Sequence, residues 1–263
     1  MGKIKDNFLN YFDVEKVDNY TFAIKESKIF YKANCFLLID GSEGILIDAL
    51  TGVYPNFISS LEHIFKVKIR KLYLTHAHYD HFGGYDGRII KEVYVSKYES
   101  EYLKKYYLSN SYVRKEIMNN GKSILPNSCN IKNYKVKKIL KISLMPKEII
   151  FGNRKLKVIE TPGHSKGSLC FYEESTKYLF TGDFIYLGDI DIFEDPSSSF
   201  SDYIESLNKC KDIKVSKYLC GHNQAIINGS EIDIEDLYKM LYESSKNNKV
   251  IDCEKYHMKF LLE

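Results

Sequence analysis

Five of the chain's seven histidines lie in three short segments, and each segment follows an apolar run of strand type. The first is Thr75-His76-Ala77-His78-Tyr79-Asp80-His81-Phe82-Gly83-Gly84, preceded by Lys71-Leu72-Tyr73-Leu74. The second is Thr161-Pro162-Gly163-His164-Ser165, and the third is Cys220-Gly221-His222-Asn223. Asp183, in Thr181-Gly182-Asp183, falls between the last two. With Asp80 and Asp183 the five histidines make seven potential ligands for zinc-like ions. Each sits where a buried strand meets a loop, which is where a fold can hold a ligand most rigidly. The chain must therefore fold so that several strand ends serve one site. A divalent ion held there can ionise a bound water near neutral pH and make it a nucleophile.

The spacing carries further expectations. On a strand continued through Leu74, His76, His78 and Asp80 alternate and project to one face. His81 breaks that parity, so a turn after Asp80 is expected, with Gly83-Gly84 supplying the backbone freedom for it. Pro162-Gly163 makes a tight turn that exposes His164. Asp183 and His222 each follow a strand and a glycine. Pro55 opens a helix with Phe57, Ile58, Leu61, Ile64 and Phe65 on its apolar face. His63 falls off that stripe, and both His63 and His257 are read as surface residues. Cys220 either shares a strand face with His222 or is a buried thiol.

Length and composition bound the class. A chain of 263 residues with 44% hydrophobic and 28% charged residues suits a soluble globular protein. A net charge of +3 without a long like-charge block gives no case for nucleic acid. The polar start Met1-Gly2-Lys3-Ile4-Lys5-Asp6 fits neither a signal peptide nor a membrane span, and Asp6 stands where myristoylation wants Ser or Thr. Six cysteines without a CxxC pair read as free thiols, and the expected setting is cytoplasmic. Strand signals at 20–24, 35–39, 45–47, 71–75 and 92–95 alternate with helical spacing and favour an α/β architecture. Residues 97–140, rich in Tyr, Lys and Asn, read as a helical insert over one end of a single domain spanning 1–263. The insert is either a substrate-selecting lid or a solvated flap. Hairpins follow at 148–159 and 169–181. Helical spacing returns at 202–211, a buried strand at 218–220, and a capping box at Ser230-Glu231-Ile232-Asp233 starts a helix through about Ser245.

The ordered set resembles that of the metallo-β-lactamase-fold hydrolase superfamily, from about Asp18 to the C-terminal helix, with 97–140 matched least. The resemblance implies a four-layer αββα sandwich, two sheets back to back with metals at one edge. It implies that His76, His78 and His164 hold one ion, that Asp80, His81 and His222 hold a second, and that Asp183 bridges them. Asp48 matches an aspartate that orients ligands in the family. The family's short Asp-Thr-Gly turn is replaced here by Asp48-Ala49-Leu50-Thr51-Gly52. Asp183 stands where several true β-lactamases carry Cys, which points to the thioesterase, lactonase and nuclease branches. Asp183-Phe184-Ile185-Tyr186 resembles the Asp-x-x-Tyr of family lactonases. With Ser201-Asp202-Tyr203 it is also similar to an acyl-CoA thioesterase subgroup. Tyr186 then either donates to a substrate carbonyl or packs a loop. The glyoxalase II branch is close in motif, but only Lys255-Tyr256-His257 hints at its glutathione clamp. The implied protein is a dinuclear hydrolase of small-molecule thioesters, esters or lactones, with Asp80, Asp183 and Tyr186 in catalysis. It takes two Zn2+ per chain, although imidazole and carboxylate ligands also accept Fe or Mn. A mononuclear iron persulfide dioxygenase-type oxidoreductase and a metal-dependent nuclease stand as alternatives on the same fold.

Overall fold

Branched and aromatic residues in short runs, separated by turn residues, commit most of this chain to strands. In the computed structural model the described residues are 8–29, 32–105, 114–115, 117, 134–135, 137–139, 141–193, 196–244 and 250–262. The chain divides into two compact units, Met1–Met145 and Pro146–Glu263.

In the first unit, strands β1 (Asp13–Lys16), β2 (Thr21–Lys25), β3 (Asn34–Asp40), β4 (Glu43–Ile47), β5 (Lys68–Tyr73), β6 (Glu92–Val95) and β7 (Ile142–Leu144) form one sheet in chain order. The first four pair antiparallel, and β4 to β7 pair parallel. Parallel neighbours need crossover connections. Helix α1 (Phe57–Phe65) provides the one between β4 and β5. It buries Phe57, Ile58 and Leu61, the stripe its spacing predicts, in a core with Leu37, Leu46, Ile69, Leu72 and Val93. A single helical turn, α2 (Tyr79–Phe82), follows β5, and α3 (Lys97–Lys105) follows β6. The expected helical insert thus begins as a helix. Apart from residues 114–115, 117, 134–135 and 137–139, its stretch from 106 to 140 lies outside the described residues.

The second unit holds β8 (Glu148–Phe151), β9 (Arg154–Glu160), β10 (Leu169–Glu173), β11 (Tyr178–Gly182), β12 (Gly188–Asp191), β13 (Lys217–Cys220), β14 (Ile226–Asn228), β15 (Val250–Cys253) and β16 (Met258–Leu261). Six of these form a sheet in the order β14-β13-β11-β10-β9-β8. Its single parallel pair, β11 with β13, is bridged by α4 (Phe200–Cys210). Both expected hairpins are present, β8–β9 and β10–β11. A separate sheet, β12-β16-β15, went unanticipated. Its strands are four residues each, and β12 pairs with β16 from a distant part of the chain, so local pattern announces the sheet poorly.

Helix α5 (Ile234–Ser244) starts later than the Ser230 box suggests. Asn228 and Glu231 form a capping box on a 3-10 turn, Gly229–Glu231. The helix itself is capped by Asp233, whose Oδ1 accepts from Glu235 N (3.0 Å) and Asp236 N (3.1 Å). A carboxylate is the stronger partner for exposed amides at a helix start. Among the described residues no helix is long and apolar enough to cross a membrane.

Candidate metal centre

Where β5 ends, the chain bends earlier than its alternation predicts. The strand stops at Tyr73, and His78 is already the extended N-cap of α2. The turn therefore precedes Asp80, and Asp80 and His81 are neighbours on a helical turn. The cause is a loop that crosses over it. Ala49 N donates to His81 O (2.6 Å), and Gly84 N donates to Ala49 O (3.0 Å). A Cβ at Gly83 would lie 2.0 Å from Thr51 O, and one at Gly84 2.1 Å from Ala49 O. Gly83 itself has ordinary helical angles, φ −58 and ψ −30. The two glycines serve close backbone approach, not the dihedral freedom the sequence suggests.

The crossing loop begins with Asp48, at φ 59. Its Oδ1 accepts from Thr75 N (2.9 Å), and its Oδ2 accepts from Thr75 Oγ1 (2.8 Å) and His81 Nδ1 (2.9 Å). Thr75 Oγ1 also lies 3.1 Å from His76 Nδ1. A hydroxyl has one proton. Since that proton goes to Asp48, the hydroxyl oxygen accepts from His76 Nδ1–H. One buried carboxylate thus fixes the rings of both His76 and His81, in the orienting role implied for Asp48. Ligand atoms of His76 and His78, of His76 and His81, and of Asp80 and His81 lie within 4.8 Å of one another. Beneath the loop, Glu26 Oε2 accepts from Thr51 N (3.1 Å). Burial pushes the Glu26 carboxyl up to about 7, against the lowering pull of its bonds to Thr51.

The second unit delivers its three candidates one at a time. Gly163, at φ 151, leads into His164 just after β9, and a Cβ there would meet Tyr203 Cβ at 2.5 Å. Asp183 follows the last residue of β11, and His222 follows β13 by one glycine. His164 Nδ1 donates to Asp191 O (2.6 Å), the last residue of β12. Asp183 Oδ2 lies 3.1 Å from His222 Nε2 and 3.4 Å from His164 Nε2.

These bonds test whether the residues suit a cation. His76, His81 and His164 each donate from Nδ1, which leaves the lone pair of the neutral ring on Nε2. That is how partner groups prepare histidines to bind metal. At His164 the Nε2 faces a carboxylate oxygen at 3.4 Å, a pairing completed either by a proton on the ring or by a cation between the two groups. The donor set therefore fits a divalent cation.

Tyr186 is nearly buried. Its hydroxyl donates to Asp189 O (2.6 Å), and its ring centroid lies 5.2 Å from that of His222. Cys220 belongs to the core, and burial foremost raises its thiol to about 12, so it is the buried thiol of the two readings. His63 and His257 are exposed, as expected. Sequence reasoning missed Thr75, Glu26, Glu99 and the Asp191 carbonyl as supports. The first three are ordinary polar residues whose partners are remote in sequence, and a backbone carbonyl leaves no mark on composition.

A family model described as the metallo-beta-lactamase superfamily matches residues 30–222. An acyl-coenzyme A thioesterase, MBLAC2, of Gallus gallus is 40% identical over 78 residues, covering 28% of this chain and 28% of that protein. The match thus spans little more than a quarter of that relative. A probable polyketide biosynthesis zinc-dependent hydrolase, PksB, of Bacillus subtilis is 25% identical over 92% of this chain and 94% of that protein. Among solved structures, a metallo-beta-lactamase from Pontibacter korlensis superposes with a TM-score of 0.63 at 14% identity, covering 88% of this chain and 99% of that one. The fold is the α/β one expected, mixed sheets flanked by helices.

Proposed function

The chain belongs to the metallo-beta-lactamase superfamily, and from that premise we propose that it is a dinuclear zinc hydrolase of a small-molecule acyl thioester, or of a related ester or lactone. One observation carries the reading: Asp183 Oδ2 lies 3.1 Å from His222 Nε2 and 3.4 Å from His164 Nε2, so this carboxylate stands between two rings that would hold different ions. In this reading His76, His78 and His164 hold one ion, Asp80, His81 and His222 hold the other, and Asp183 belongs to both. When bound, the cations supply the positive charge that acidifies water and polarises an acyl carbonyl.

The chain's own residues do the rest. Asp80 and Asp183 accept hydrogen bonds from the attacking water and aim it. Asp48, through Thr75 and His81, keeps two rings from turning. Tyr186 is the proposed donor to the substrate carbonyl, which requires its hydroxyl to leave Asp189 O. A thiolate or ring alkoxide leaves readily beside positive charge, which favours thioesters and lactones. The thioesterase and zinc-hydrolase activities of two relatives point the same way. A cytosolic setting, where thiols stay reduced, suits the five free cysteines among the described residues.

The test is metal content per chain by plasma mass spectrometry on protein grown without added metal, followed by a thioester and lactone panel. The expected result is two zinc ions and turnover of a thioester that falls at least ~1,000-fold in Asp183→Ala. One iron per chain with oxygen uptake on a persulfide would overturn it in favour of the oxidoreductase.

A further inference from the structure

Ala77 lies between two expected ligands, His76 and His78, in a stretch released from the β5 ladder. Its buried N–H needs a partner. That partner is Glu99, whose Oε2 accepts at 3.1 Å. Glu99 is only 4% exposed, and a glutamate is seldom so buried unless its carboxylate is engaged. It stands in the first turn of α3, where a negative charge is favoured, and its own N–H donates to Ser96 Oγ (3.3 Å). The carboxylate is thus held at a defined place and in turn holds one peptide plane. That plane sets the directions in which the flanking His76 and His78 leave the backbone.

A second tether comes from the same insert. The Tyr134 hydroxyl donates to Thr51 O, and Tyr134 O accepts from Arg114 Nε (2.9 Å). Thr51 belongs to the loop that crosses Gly83 and carries the Asp48 clamp. Glu99 and Tyr134 therefore hold both loops that shape the first unit's candidate ligands.

We propose that Glu99 is a positioning residue that anchors the His76-Ala77-His78 turn through the Ala77 amide and, with Tyr134 on the crossing loop, supports metal binding. The proposal rests on the reading of His76 and His78 as ligands.

Two readouts on the full-length chain test it. The first is zinc affinity, measured by competition with a chromophoric chelator. Glu99→Ala is expected to weaken binding about 10-fold, as loss of an orienting partner does. Glu99→Gln keeps an acceptor oxygen and is expected to restore affinity to within about 3-fold of the parent. Glu101→Ala, on the exposed side of α3, is the control and should change nothing. The second readout is hydrogen exchange of the Ala77 amide in metal-free protein, expected to speed up in Glu99→Ala and to stay slow in Glu99→Gln. Thermal melts of the metal-free variants report whether they fold, and if Glu99→Ala does not, Glu99→Gln against Tyr134→Phe decides. In that case, loss of zinc affinity in Tyr134→Phe with retention in Glu99→Gln supports the proposal, and unchanged affinity in Tyr134→Phe overturns it. Parent-like affinity in a folded Glu99→Ala overturns it. So does unchanged Ala77 exchange, whether or not the parent binds zinc, so the fate of the hydrolase reading is scored separately.

Discussion

The two units support their candidate ligands by opposite means. In Met1–Met145 the four candidate ligands fall within residues 76–81, on a bend that the strand alone would not make. Side chains from elsewhere clamp it: Asp48 on Thr75 and His81, Glu99 on Ala77, and Glu26 on the crossing loop. In Pro146–Glu263 each candidate ligand comes singly, after the end of its own strand. There the His164 ring leans on a main-chain carbonyl, that of Asp191. A crowded ligand segment needs remote side chains to bend it. Ligands spread over several strand ends inherit their precision from the sheet. The first arrangement is the more vulnerable to substitution.

The largest expected effect therefore falls on Asp48. Asp48→Asn turns an amide NH2 toward groups that all donate, so buried hydrogen bonds are lost rather than weakened. The expected cost is about 4 kcal/mol of stability, with a 10- to 100-fold loss of metal affinity. Urea unfolding and chelator competition measure the two. The matching change in the other unit, Asp191→Asn, leaves the carbonyl under His164 in place and should shift neither. Equal losses in both variants would erase the contrast between the units.

Glu26 sharpens the contrast along the pH axis. Its carboxyl is raised from 4.5 to about 7 by burial, so the folded chain holds a proton that the unfolded chain releases earlier. Stability from this group is full below about pH 4.5, falls as pH rises through 7, and is lower by about 3 kcal/mol above it. Glu26→Gln is expected to remove that slope. Unfolding free energies of parent and variant at pH 5 and pH 8 check it, and a slope that survives the substitution would sink the assignment.

How much of this was legible follows from where the determinants lie. The His76–His81 segment is visible because four candidate ligands fall within six residues, and chance seldom writes such a run. The strands around it are visible because their apolar periodicity is local. Single candidates such as Asp183 and His222 carry only the weak signal of a strand followed by a glycine, and resemblance to a known arrangement supplied their roles. The position of the bend was misread because parity along a strand assumes the strand continues, whereas the Asp48–Gly52 loop ends it by packing on Gly83 and Gly84. The β12-β16-β15 sheet and the Glu99 contact escaped for the same reason: each joins segments that carry no shared local pattern.

Tyr186 is the smallest and most discriminating case, because one hydroxyl has two possible employers. In the structure it donates to Asp189 O, next to the strand end that steadies His164. A purely structural hydroxyl would cost about 1 kcal/mol when removed and leave kcat alone. A hydroxyl that moves to the substrate carbonyl in the transition state would lower kcat by about 10-fold with KM unchanged. The expected result for Tyr186→Phe is both the small loss of stability and the fall in kcat. A melt that shifts while kcat holds would assign the hydroxyl to Asp189 alone.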